Sequence, residues 1–315
     1  MELPSEITDL LPAGADVLTG ADLIGGSGSN RCYWRLTFGS GPSLIATLGT
    51  NRDENEAFFY LAEKLADAGV NVPRVVGVSP SRMAYLQTDV GSQALFDCLE
   101  RTDLIEKSID MLARAQQTPA IDYSRCYPVA EMNRRAVMWD LNYFKYCFLK
   151  TCPGIEINEP ALEDDFESLA EIILTAEPRG FMIRDFQSRN IMIGNDGEPW
   201  LIDFQGGRRG PAHYDVASFL WQARAGFSDA LRSEMVGRYC EARRIDEREF
   251  RAKLPYFVVL RLLQALGAYG FRGRFEGKEH FIRSIPPALA SLAATLNGLD
   301  SLPELTALSN QLQQN

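Results

Sequence analysis

The sequence predicts an α+β chain of two lobes, and three observations predict it. Strand-prone runs and a single amphipathic helix share the first ninety residues, helical periodicity dominates everything after them, and one strand-rich insert at 181–204 interrupts the helices. The expected division is a β-rich lobe at 1–90 and a mainly helical lobe at 91–315. No repeat or low-complexity linker separates the two, so the boundary is expected to act as a hinge.

Taken in order, "RCYWRLTF" (31–38) and "SLIATL" (43–48) read as strands, rich in aromatic and β-branched residues. "ENEAFFYLAEKLADAG" then spaces its apolar residues at helical intervals and stops at Gly69. "RMAYLQTDVG" offers a further strand with a polar exit. Helices are expected over roughly 92–117, 128–150, 160–176, 214–225, 228–243, 247–268 and 286–298. In the insert, "NIMI" and "WLIDF" flank "GNDGEP", whose Asn, Asp, Gly and Pro supply turn chemistry, so a β-hairpin is expected.

Composition narrows the function classes. The 315 residues are 46% hydrophobic, enough for one large core or two lobes. With 42 acidic against 32 basic residues and a net charge of −10, there is no basic footprint for a phosphate backbone, and nucleic acid is excluded as a partner. The six cysteines form no CxxC pair and read as reduced thiols, and two histidines give no zinc spacing. "MELPSEITDLLPAGADV" has neither basic nor apolar signal regions, and no 18-residue apolar run is apparent, so a cytoplasmic protein without a membrane partner is expected. Oligomeric state is not legible.

The order Asp185, Asn190, Asp203 carries the chemistry. If Ile193 pairs with Trp200, the hairpin register sets Asn190 opposite Asp203, converging an amide oxygen and a carboxylate. Such hard oxygen ligands, completed by water and phosphate oxygens, suit Mg²⁺. Asp185, at the end of "FMIRD", is a carboxylate not needed as a ligand and able to accept a proton from a substrate hydroxyl. Near the amino terminus, "GGSGSNR" precedes a strand. Its Gly26, Ser27, Gly28, Ser29 and Asn30 would let backbone N–H groups approach phosphates.

Asp, four residues, Asn, and an apolar strand ending in Asp-Phe resemble the catalytic loop and metal motif of eukaryotic-type kinases. No His precedes Arg184, and Gln205 stands where Gly follows the Phe. Eleven residues lie between Asp203 and Asp215, too few for an activation segment. That is similar to the aminoglycoside phosphotransferase-like branch, with its bilobal protein-kinase-like fold. Within it, "LIDFQGGRRGPAHYDVASFLWQAR" and "GSGSNRCYWRL" look most like the anomeric kinases of N-acetylmuramate and N-acetylglucosamine in cell-wall recycling. "LGAYGFRG" and "FIRSIP" are softer matches.

The resemblance implies ATP as co-substrate, Mg²⁺ as cofactor and a sugar hydroxyl as acceptor. It implies Asp215 as the brace of the catalytic loop beside Arg184, Glu56 as the helix acid facing the nucleotide site, and Gln87 and Thr88 as the hinge that meets the base. The phosphate-binding lysine is missing: Thr47 of "LIATLGT" stands in its place. Either the chain is a nucleotide-binding pseudokinase, or Arg31 or Arg35 supplies the positive charge. For the sugar, the polar candidates are Gln205, Arg208, Asp140 and Asn142. An aminoglycoside-type antibiotic phosphotransferase is the other reading.

Overall fold

Alternating apolar side chains on the early strands produce an antiparallel sheet of five strands, β1 (Leu18–Ile24), β2 (Cys32–Phe38), β3 (Leu44–Leu48), β4 (Val75–Val78) and β5 (Ala84–Thr88), in the order β1-β2-β3-β5-β4. The computed structural model describes residues 3–11, 18–24 and 31–314, and the chain divides into two compact units. One combines residues 1–130 with 188–207, and the other combines 131–187 with 208–315.

In the first unit, Trp34 and Leu36 of β2, Ala46 of β3 and Ala84 and Leu86 of β5 share one face of the sheet. They pack with Ile7 of the short helix α1 (Ser5–Thr8) into a buried cluster. Burying a side chain of this size contributes about 1.5–3 kcal/mol. Helix α2 (Arg52–Asp67) begins where the Asn51 side chain accepts the Glu54 N–H and ends before Gly69, whose φ of +74° suits the helix-terminating position. Its buried Ala57, Phe58, Leu61 and Leu65 face the interior. Asn55 of α2 is fully buried and donates to the Arg82 and Met83 carbonyls. A Cβ at Gly49 would fall 2.5 Å from its Oδ1, so only glycine fits there.

The expected hairpin is present as β8 (Ile191–Ile193) and β9 (Pro199–Leu201), to which the two-residue strand β6 (Gln93–Ala94) adds a third strand. The observed register pairs Met192 with Trp200 and Ile193 with Pro199, one residue away from the expected alignment. The helix expected from residue 92 starts later, as α3 (Thr102–Ala115), because residues 93–94 are committed to the sheet and 95–98 form a 3-10 turn.

The second unit holds α4 (Arg134–Cys147), α5 (Glu159–Leu174), β7 (Arg179–Met182), β10 (Arg208–Pro211), α6 (His213–Leu220), α7 (Asp229–Arg243), α8 (Glu247–Tyr269), α9 (Glu279–Ile282), α10 (Ile285–Leu296) and α11 (Pro303–Gln314). Strands β7 and β10 pair antiparallel, Met182 with Arg208. The stretch Glu247–Phe275 is long and apolar enough to cross a membrane, contrary to the expectation of no such run. Phe257, Val259, Leu260, Leu263 and Leu266 on it are buried in the unit's interior, as in a core helix. Helix α8 runs into a π turn over Gly270–Phe275. The turn starts so close to α4 that a Cβ at Gly270 would lie 2.0 Å from the Cys147 carbonyl oxygen.

Candidate functional site

In the first unit, β8 ends its helical approach at Asn190, and β9 delivers the chain into Asp203. The register places Ile202 against Asn190, the Ile202 N–H donating to the Asn190 carbonyl at 2.9 Å, so Asp203 is not the opposed residue that the sequence predicts. The side chains meet all the same: Asn190 Nδ2 lies 3.2 Å from Asp203 Oδ2. Asp203 has φ +60°, a left-handed conformation rare outside glycine and better tolerated by Asp than by most residues. The two side chains thus meet at a backbone turn rather than across a ladder pair. The other Asp203 carboxylate oxygen accepts from Gln205 Nε2 at 2.8 Å. Phe204 between them is buried and stacks on Phe58 at 5.0 Å.

Gln205 Nε2 also lies 3.5 Å from Glu54 Oε1, and Glu54 lies 3.4 Å from the buried Arg31 guanidinium, which donates to Asn55 Oδ1 at 3.1 Å. A continuous polar chain thus runs Arg31, Glu54, Gln205, Asp203, Asn190. Glu56, the acid expected to face this region, instead pairs with Arg82, Nη2 to Oε2 at 2.6 Å. Both acids belong to one helix, but two residues on it differ by about 200° in direction. Arg35 is engaged elsewhere: its Nε donates to Asp89 Oδ2 at 2.6 Å and its Nη2 to the Gly91 carbonyl at 3.0 Å, tying down the polar exit of β5. Within that exit, the Thr88 N–H donates to the Arg74 carbonyl at 2.9 Å, and Gln87 is buried on β5 opposite Ile45. Gly26, Ser27, Gly28, Ser29 and Asn30 lie outside the described residues.

In the second unit, the segment after β7 is held by Asp215. Its two carboxylate oxygens accept the N–H groups of Ile183 and Arg184, both at 2.8 Å, and Asp215 itself is fully buried at the start of α6. Arg184 has φ +77°, an unfavourable conformation for a long side chain, and is over-determined by Asp215 on its backbone and Asp140 on its guanidinium. Asp140 on α4 accepts from Arg184 Nη2 at 2.9 Å and Nη1 at 3.3 Å, and this carboxylate holds the guanidinium protonated well above its ordinary range. Asp185 follows immediately, its side chain 39% exposed, with Arg261 Nη2 of α8 at 3.8 Å. Arg261 is oriented by Ser218 Oγ at 3.0 Å and by Gln264 Oε1.

Arg208, on β10, is buried, and burial followed by the repulsion of Arg184 lowers its pKa to about 10, against the pull of Asp140 and Asp185. Tyr214 is buried beside this group, with its hydroxyl pushed up to about 12 mainly by desolvation. Asn142 is half-buried on α4. Of the four polar candidates for the acceptor, Asp140 is thus an ion-pair partner of Arg184, and Gln205 orients Asp203 in the other unit. Sequence reasoning overlooked Glu54 and Arg261. Glu54 was within reach of a helical-wheel argument placing it beside Asn55, whereas Arg261 lies too far along the chain from Asp185 for any spacing to signal it.

Among the described residues no group of three His, Cys, Asp or Glu gathers as a metal site. Asn190 and Asp203 offer one hard oxygen each from adjacent side chains, a donor set that fits Mg²⁺ only when phosphate oxygens and water complete the shell.

Residues 21–252 match the model of the phosphotransferase enzyme family. The chain is 23% identical to the N-acetylmuramate/N-acetylglucosamine kinase of Pseudomonas aeruginosa, over 97% of this chain and 89% of the relative, and 25% identical to the kinase of the same name from Neisseria meningitidis, over 90% and 87%. Among solved structures, it superposes on an amicoumacin kinase in complex with AMP-PNP, Ca²⁺ and its ligand with a TM-score of 0.64 at 12% identity, covering 92% of this chain and 88% of that one. The fold is the protein-kinase-like fold of aminoglycoside phosphotransferases and choline kinases. The chain belongs to the phosphotransferase enzyme family, as an enzyme that transfers a phosphoryl group to a hydroxyl.

Proposed function

We propose that this enzyme transfers the γ-phosphoryl group of ATP to the anomeric hydroxyl of an N-acetylhexosamine, N-acetylmuramate or N-acetylglucosamine, in the cytoplasm. The observation that carries the reading is the setting of Asp185. Asp140 binds the Arg184 guanidinium and Asp215 the N–H groups of Ile183 and Arg184, which fixes the backbone just before a partly exposed Asp185 carboxylate. Relatives named N-acetylmuramate/N-acetylglucosamine kinase, matched over nine-tenths or more of the chain, support the choice of sugar.

In this reading residues 1–90 form the nucleotide lobe and 91–315 the catalytic and acceptor lobe. Asp185 accepts the proton of the attacking hydroxyl, and Asp215 with Arg184 holds it in place. Asn190 and Asp203 would hold Mg²⁺, which would supply neutralisation of phosphate charge. Gly26, Ser27, Gly28, Ser29 and Asn30 cover the phosphates, and Arg31 supplies the cation that the missing lysine would give, Arg35 being bound to Asp89. Gln87 and Thr88 flank the adenine, while Arg208 and Asn142 serve the acceptor.

A polycationic antibiotic is the less suited acceptor. It calls for several uncommitted carboxylates, and around Asp185 the charged neighbours include Arg184, Arg208 and Arg261. Incubation with ATP, Mg²⁺ and N-acetylglucosamine, followed by phosphorus NMR, tests the assignment. A glycosyl phosphate is expected, with the methyl glycoside inert because its anomeric oxygen carries no proton. A 6-phosphate, or efficient turnover of the methyl glycoside, overturns it.

A further inference from the structure

Helix α4 leaves the Asp140–Arg184 ion pair and, on an adjoining face, carries Trp139, Asn142, Tyr143 and Tyr146 at helical spacing i, i+3, i+4, i+7. Trp139 is 50% and Tyr146 57% exposed, large apolar surface for a helix that buries Ala136, Val137, Leu141 and Phe144. The π turn at the end of α8 extends the same surface. Gly270 lets the turn sit against the Cys147 carbonyl, which sets Phe271 at 6.3 Å from the Tyr143 ring, and Phe275 follows at 6.2 Å from Phe271. Phe271 and Phe275 are themselves exposed. Lys145 and Lys150 flank Tyr146 at 5.6 and 5.3 Å from its ring. An aromatic strip with an amide in its midst therefore starts beside the residues that hold Asp185 and runs away from them.

We propose that this strip is a second acceptor subsite, binding a further pyranose attached to the non-reducing side of the hexosamine. The proposal rests on the anomeric reading above, which puts the reducing end at Asp185 and so directs any substituent outward. The C–H face of a pyranose is apolar and packs on aromatic rings, while its hydroxyls need donors and acceptors such as Asn142 at the edge. Along α4, Asp140 to Tyr146 spans roughly 9 Å, room for one more ring beyond the reacting one. Trp139 and Phe271 are the specificity-determining residues of this subsite.

The test compares a reducing β-1,4-linked di-N-acetylhexosamine with the monosaccharide. The wild-type enzyme is expected to favour the disaccharide by about 10-fold or more in kcat/KM, and Trp139→Ala and Phe271→Ala to erase that preference while leaving monosaccharide turnover within about 2-fold. Equal kcat/KM for the two sugars, or variants that depress both equally, overturns the subsite. Saturation-transfer NMR with the unreactive methyl glycoside of the disaccharide reads the same contact without turnover. Enhancement on the outer ring, lost in Trp139→Ala, supports the subsite even if the phosphorylated position proves to be another, and its absence in the wild type counts against it. A wild-type dimer that Trp139→Ala converts to monomer would assign the strip to self-association and overturn the proposal.

Discussion

Gln205 Nε2 donates to Asp203 Oδ1 at 2.8 Å, so the carboxylate proposed to hold Mg²⁺ is oriented by the residue that replaces the expected glycine. Side chains that fix a metal ligand typically contribute 10- to 100-fold to metal affinity. Gln205→Leu is therefore expected to raise the Mg²⁺ concentration for half-maximal activity by about that factor, with kcat at saturating Mg²⁺ changed much less. An unaltered Mg²⁺ titration would mean that Asp203 needs no such support.

Asp185→Asn keeps the shape of the segment and removes the proton acceptor. Turnover should fall by about 10²-fold or more, while nucleotide affinity, read by calorimetry, stays close to wild type. Near-normal turnover would assign the base elsewhere.

The two arginines considered for the missing lysine separate by experiment. Arg31 is buried in the chain that leads to Asp203, and Arg31→Ala should raise the ATP KM about 10-fold or more. Arg35 fastens Asp89 and Gly91, so Arg35→Ala should lower the melting temperature with a smaller effect on ATP KM. Equal kinetic losses would contradict this division of labour.

Asp215→Asn retains the size of the side chain but replaces one acceptor with a donor facing the N–H of Ile183 or Arg184. Charge-assisted bonds of this kind contribute about 1.5–3 kcal/mol each, and the φ +77° of Arg184 loses its support. A fall of about 2–4 kcal/mol in unfolding free energy is expected from urea titration, together with loss of activity.

His213 lies stacked between Phe250 at 4.0 Å and Phe257 at 4.8 Å, and burial, aided by Lys253, lowers its pKa to about 3 from 6.5. Below pH 6.5 the unfolded chain binds a proton that the folded chain refuses. The associated stability is therefore complete above pH 6.5 and declines as pH falls toward 3, by up to about 1.4 kcal/mol per pH unit. His213→Leu should flatten that slope between pH 6.5 and 5 in urea titrations. An unchanged slope would place the pH dependence on other groups.

How much of this was legible differs from residue to residue. Asp185, Asn190 and Asp203 stood out because their chemistry is tied to short spacings around one hairpin. The register was missed by one residue because the turn closes one position early, the Gly194 N–H donating to the Glu198 carbonyl, so that Pro199, read as turn chemistry, joins the ladder. β1 escaped notice because Gly20 and Asp22 break its alternation, and α11, "PELTALSNQLQQ", because more than half of it is polar and its apolar residues are few. Pairings such as Arg35 with Asp89, or Arg261 beside Asp185, join distant parts of the chain, and nothing local in the sequence encodes them.

The hairpin at 188–207 has a consequence for how the chain is made. Gln93 of β6 pairs with Ile193, and the Leu201 N–H donates to the Asn71 carbonyl at 2.8 Å. During synthesis, the first unit therefore waits for strands encoded about a hundred codons later, after residues 131–187 of the second unit have been made. Until then β6 presents an unpaired edge and the Asn71 loop an unmet carbonyl. A nascent chain stalled just after residue 130 should remain protease-sensitive around residues 70–95, and one stalled with residue 207 fully emerged should become resistant there.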